Sequence, residues 1–190
     1  MRYDRTILAY HGCDAKVANQ LLAGEPFKPS ANDFNWLGEG VYFWEYGHDR
    51  ALRFAEFQKE QGKVSKPAVV GAILQLGRCF DLLDTRFTAE LAQAYEHSKQ
   101  LYEATGTALP KNEGKTPDLK LRKLDCAVLN LYLQHLDDHS SGEPLQTIRA
   151  AFEEGDAAFP GSMIRRETHI QIAVRDPRCV LGVFRPMIGG

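Results

Sequence analysis

The sequence predicts an α+β fold in which both ends of the chain build the sheet and a helical lobe is inserted between them. Three observations carry this. The continuous apolar run AVVGAILQL at 68–76 has the length and content of a buried strand. Stretches in the middle of the chain carry apolar residues at intervals of three and four, the helical period. The pattern then returns to strands in THIQIAV at 168–174 and CVLGVF at 179–184, parted by the Asp176-Pro177 turn. Strands, then helices, then strands is the order of an α+β domain.

TILAYH at 6–11 reads as a short strand ended by Gly12. A helix follows over 14–23: Asp14 caps it, Val17, Leu21 and Leu22 form its apolar face, and Gly24 stops it. Residues 25–35, rich in Pro, Ser, Asn and Asp, form a loop. Gly40–Trp44 is an aromatic, β-branched strand, with Tyr42 and Trp44 on one face and Val41 and Phe43 on the other. A helix over 49–59 sets Ala51, Leu52, Phe54, Ala55 and Phe57 on and around its inner face. Gly77 ends the buried strand, and Phe80–Leu83 reads as a short edge strand. Helices are predicted over 88–105 and 116–135, the latter with Leu121, Leu124, Val128 and Leu131 on one face, and a third over 145–153. The inserted helical lobe therefore spans about 86–153.

A length of 190 residues suits one domain, 1–190. The net charge of −2, with both signs spread along the chain, gives no global footprint for nucleic acid or an acidic membrane. Cys13, Cys79, Cys126 and Cys179 are too far apart for a zinc knuckle or a redox motif, so no metal is expected and each reads as a small buried hydrophobe. The stretch MRYDRTILAY has no long apolar segment, and no stretch has the length of a membrane span. A cytoplasmic protein with reduced thiols and no membrane partner is the expectation.

Two short stretches carry chemistry. In Tyr10-His11-Gly12 a histidine closes a strand, where one ring nitrogen can bond a ligand hydroxyl; glycine after it admits a ligand or another backbone. In WLGEGVYF, Gly38 and Gly40 permit tight backbone at the start of the strand, and Tyr42 can stack on a flat ring or simply pack in the core.

The joint order of these stretches is more specific than either alone. His11-Gly12, a helix of about ten residues, a polar loop, GEGVYF at 38–43, a helix with Ala51 and Ala55, then GAILQLG at 71–77 resembles the poly(ADP-ribose) polymerase-like ADP-ribosyltransferases. The resemblance covers roughly residues 7–83 and 162–184. It implies a split β-sheet core holding NAD as co-substrate in a cleft. His11 would bond the adenosine-side ribose, Gly12 would offer backbone hydrogen bonds to the nicotinamide amide, Gly40 would open the strand, and Tyr42 would stack on the nicotinamide. It implies transfer of ADP-ribose to a protein, RNA or DNA acceptor with release of nicotinamide, through an oxocarbenium-like sugar. Family habit adds a toxin or anti-phage effector with a neutralising antitoxin partner.

The family usually places a glutamate on a late strand as its third site residue. Here the matching position is Gln171, which can hold a hydroxyl but supplies neither negative charge nor a proton acceptor of carboxylate strength. A carboxylate would have to come from Glu153, Glu154 or Glu167, with Glu154 the candidate acid or base; His169 shares a strand face with Gln171. The same missing glutamate supports another reading, an inactive module that binds NAD or ADP-ribose. Lys111, Lys115, Lys120, Arg122, Lys123, Arg165 and Arg166 are the phosphate contacts expected of a nucleic-acid acceptor, or else a solvated charged face.

Overall fold

The computed structural model describes residues 3–116, 118–139 and 143–187. It is an α+β arrangement of one seven-stranded sheet and, among the described residues, four α-helices. The elements are β1 (Tyr3–Asp14), α1 (Ala15–Leu22), β2 (Val41–Glu45), α2 (His48–Glu60), β3 (Pro67–Gly77), β4 (Cys79–Asp81), α3 (Thr85–Ala104), α4 (Lys123–His139), β5 (Thr147–Phe152), β6 (His169–Val174) and β7 (Val180–Phe184). The spatial order is β4-β5-β6-β2-β1-β3-β7, and both ends of the chain contribute to it. Every pairing is antiparallel except that of β4 with β5.

The two faces are filled by different elements. Ile7, Ala9, Val41, Phe43, Leu74 and Ile172 form a core on one face, closed by Phe27 from the loop after α1. On the same face α1 packs Ala18 and Leu21 against Cys13 and Val70; Asp14 caps this helix by accepting the Lys16 N–H. Gly12 points to the opposite face, as strand alternation requires, and there α2 lies against it. Farther along this second face α4 presents Leu129 and Leu133 to Phe80, Ile148 and Ala173, with Phe87 and Leu91 of α3 behind them.

Three expectations about the lobe are corrected. Residues 145–153 are not a helix: Thr147–Phe152 is an interior strand between β4 and β6. Gln, Arg, Ala and Glu in that stretch favour helix locally, but burial between two partner strands overrides the preference. The helix predicted from Thr116 starts at Lys123, because Leu119 takes a positive φ of 42° and Glu113 and Leu121 exchange backbone bonds across a short return; Pro117 lies outside the described residues. Its buried row is Cys126, Leu129 and Leu133 with Val128, not Leu121, Leu124 and Leu131. The helical lobe thus ends at His139, and β5 belongs to the sheet.

One buried polar group ties the β5 side of the sheet to β2. Arg149 on β5 reaches across β6 to Glu45 at the end of β2, with Nε and Nη2 donating to its two oxygens at 2.6 and 3.1 Å. Its Nη1 donates to Asp81 of β4 at 3.1 and 3.2 Å. All three side chains are below 10% exposed, so removing the guanidinium leaves two buried carboxylates uncompensated. Arg149→Met should therefore cost about 3–5 kcal/mol in urea unfolding.

Candidate functional site

The site begins where β1 and β2 part. Their ladder has two registered pairs, Ala9 with Glu45 and Tyr10 with Trp44. The Tyr46 N–H still donates to the Leu8 carbonyl, at 3.1 Å. In an antiparallel ladder every second residue turns its peptide groups to the same neighbour. Leu8, Tyr10 and then Gly12 therefore face β2, yet Gly12 and Tyr42, which come next in the series, form no registered pair. The strands open past the Tyr10–Trp44 pair, at the His11-Gly12 and Val41-Tyr42-Phe43 segments.

His11 spans the opening. Its Nδ1 lies 2.8 Å from the Tyr42 carbonyl oxygen. A carbonyl only accepts, so Nδ1 carries the hydrogen and Nε2 of the neutral ring is left as an acceptor. Phe27 and Phe43 flank the ring at 5.4 and 5.6 Å between centroids. Burial pushes the His11 pKa below 6.5, opposed in part by the carbonyl bond, so the ring is neutral at pH 7.

Gly12 is required by a second backbone. A Cβ there would stand 2.0 Å from the Ala51 carbonyl oxygen and 3.4 Å from the Ala55 Cβ. The small pair Ala51 and Ala55 in α2 is thus the counterpart of Gly12, and the two motifs form one contact between helix and strand. Gly40 is likewise confined, its missing Cβ falling 2.9 Å from the Val174 carbonyl oxygen of β6.

Tyr42 holds the loop before it. Its hydroxyl donates to the Gly38 carbonyl at 2.8 Å and accepts the Leu37 N–H at 2.9 Å. Gly38 has a φ of +78°, and a Cβ there would also meet Asn130 Oδ1 of α4 at 2.6 Å. That Asn130 oxygen accepts the Glu39 N–H at 3.1 Å. Burial raises the Tyr42 pKa, so the side chain remains a phenol. With its hydroxyl engaged twice, Tyr42 has only its ring to offer a ligand.

Gln171 pairs with Trp44 of β2 and Ala150 of β5, on the face that carries Tyr42. Its Oε1 accepts the Trp36 indole N–H at 2.5 Å. Glu154 lies elsewhere. It sits beyond the end of β5, where its carbonyl accepts the Glu167 N–H, four residues past the Ala150 that faces Gln171. At strand rise that is about 13 Å along the sheet. Its oxygens accept from Arg50 Nη2 and Lys120 Nζ, each at 2.6 Å. Glu167 also pairs with Arg50, at 3.4 Å. His169 stacks on Phe152 and donates from Nδ1 to the Glu167 carbonyl at 2.7 Å, and burial lowers its pKa. The structure sets His11, Gly12, Tyr42 and Gln171 on adjoining strands, with the His11 ring on the face of Phe27 and Phe43 and the Tyr42 and Gln171 side chains on the opposite one, and Glu154 belongs to a separate ion-pair cluster.

The basic residues of the middle segment are largely engaged. Lys120 and Lys123 form ion pairs, and Arg122 lies over the Phe152 ring at 4.2 Å. Lys120, Arg122, Arg165 and Arg166 line a cavity of about 660 Å³, but Asp118, Glu153, Asp156 and Glu167 line it too, so it is not a basic track. The four cysteines are free and buried, and burial raises Cys13 and Cys179 to about 11 and Cys79 to about 12, which favours the protonated thiol in these three at neutral pH. Among the described residues no group of three His, Cys, Asp or Glu side chains is placed to hold a metal, and no helix is long and apolar enough to cross a membrane. Trp36, Arg50 and Asn130 make contacts with Gln171, Glu154 and the Glu39 N–H that the sequence patterns did not assign.

No protein-family profile and no solved structure matches the chain. Over 45 residues it is 44% identical to an uncharacterized protein of Methanocaldococcus jannaschii, a match that takes in 24% of this chain and 21% of that protein. The chain thus spans about a fifth of the length of this curated relative.

Two predictions follow from this geometry. Gly12→Ala should cost about 1–3 kcal/mol or more by overpacking, whereas Gly182→Ala, with nothing within 4 Å of the added Cβ, should leave the melting temperature nearly unchanged. The second concerns acid. His11 and His169 have folded pKa values below 6.5, so below that pH the unfolded chain binds more protons and stability falls with falling pH. Calorimetric melting temperatures should decline from pH 6.5 downwards, before the carboxylates near 4 titrate, and His11→Gln should flatten that slope.

Proposed function

We propose that the protein is an NAD-dependent ADP-ribosyltransferase that moves ADP-ribose to a macromolecular acceptor and releases nicotinamide. The observation that supports this best is the opening of β1 from β2 at the two motif segments, with Gly12 peptide groups facing the gap and His11 fixed in one tautomer across it. The donor set fits NAD. Nε2 of His11 accepts from a ribose hydroxyl, Gly12 offers peptide groups to a carboxamide, and the Tyr42 ring offers a flat surface. The substrate supplies the labile bond between nicotinamide and ribose. The chain holds the two sides of that bond in a fixed relation, which lowers the entropic part of the barrier.

Between the candidates for the third position, the placement favours Gln171. Glu154 is neutralised by Arg50 and Lys120 and lies well along the sheet from the opening. A toxin or effector role with a neutralising partner rests on the family resemblance.

The inactive binding module is the second reading, and Gln171 is the observation that favours it, since an amide cannot balance positive charge developing on the sugar. The test is incubation with NAD labelled in the adenylate part, with and without cell lysate, followed by separate nuclease and protease digestion. Label that follows one macromolecular fraction, and is lost in His11→Ala at unchanged circular dichroism, is the expected result. Intact NAD with measurable binding would select the binding module, and neither turnover nor binding would remove both readings.

A further inference from the structure

The chemistry at Gln171 depends on which end of its amide faces the ligand, and a neighbouring residue settles this. An indole nitrogen donates and cannot accept, so the atom of Gln171 that meets Trp36 Nε1 at 2.5 Å is the oxygen. The NH₂ end, with two donors, is left for other partners. The third position of the site is thus presented as a hydrogen-bond donor, the opposite polarity from a carboxylate.

Trp36 is itself held on three sides. Its ring meets Phe152 edge-on at 4.9 Å. The Arg122 guanidinium, one residue before α4, lies 5.5 Å from the Trp36 ring and 4.2 Å from that of Phe152. The loop on which Trp36 rides is pinned to α4 by the Glu39 N–H to Asn130 bond and by Cys126 Sγ, 3.6 Å from the Asn32 carbonyl oxygen. Trp36 also precedes Leu37, whose N–H is taken by the Tyr42 hydroxyl. The loop between α1 and β2 therefore sets the orientation of Gln171 and the placement of Tyr42 together, and α4 braces it.

We propose that Trp36 is a positioning residue that turns the Gln171 amide so that its NH₂ group donates to a sugar oxygen of the bound dinucleotide. This rests on the NAD reading above. It assigns the helical lobe a task, the bracing of the loop that carries Trp36, and it sets the ligand group at this position as a hydrogen-bond acceptor.

A double-mutant cycle on nicotinamide release tests it. Trp36→Phe keeps an aromatic ring against Phe152 and removes the donor. It should lower kcat about tenfold, with KM changed less than kcat and with the melting temperature nearly kept. If Trp36 acts through Gln171, adding Trp36→Phe to Gln171→Ala should lower the rate no further. In the unmutated protein, NAD should shift the Gln171 side-chain NH₂ resonances while the Trp36 indole N–H stays bonded; this reading stands even if Trp36→Phe folds poorly. Additive losses in the cycle, or an indole N–H that leaves Gln171 for the ligand, would overturn the proposal and leave the NAD reading standing. Neither NAD binding nor turnover in the unmutated protein would overturn both.

Discussion

Peptide groups that leave a ladder must find other partners, and the region around β1 and β2 is organised by that constraint. The two strands share two registered pairs and then separate. On the β2 side the Tyr42 carbonyl takes its bond from a side chain, His11 Nδ1. This single contact decides the tautomer of His11, keeps the opening from widening, and leaves Nε2 as the free nitrogen. Closure of the gap into an ordinary ladder would remove the site, since Gly12 and Tyr42 would then bond each other.

The opening is kept apart by its surroundings. Ala51 of α2 presses on Gly12 from one face, while Cys13, Val70 and α1 fill the other. On the β2 side, Gly40 is hard against β6 and the loop over 30–40 is anchored to α4. The Arg149 group, with Glu45 and Asp81, fixes the far end of β2 to β5 and β4. Helix α2 touches both flanks, Ala51 against Gly12 of β1 and Phe54 against Trp44 of β2, while α1 and α4 each brace one of them.

Local patterns revealed those elements whose determinants are local. The apolar run of β3, the Asp14 cap and the Ala51–Ala55 pair each follow from residues adjacent in sequence. The site strands were also legible, because Gly12, Gly38 and Gly40 mark backbone crowding that other residues would not permit. What escaped was non-local. Thr147–Phe152 has helix-forming residues and becomes a strand only because β4 and β6 flank it. The start of α4 is delayed by a backbone return that ends at Leu121. Glu154 had the right chemistry for an acid or base, but partners from distant segments, Arg50 and Lys120, engage it. The bond from Trp36 to Gln171 joins residues 135 positions apart, and no sequence period announces such a pair.

The most direct measurement is an amide and imidazole nitrogen NMR titration of the protein with NAD. His11 should begin in the Nδ1–H tautomer, and the Gly12 amide and His11 Nε2 should shift together, with Tyr42 and Gln171, at one common affinity. NAD that binds without moving Gly12 or His11, or a His11 ring that carries its hydrogen on Nε2 in the free protein, would contradict this.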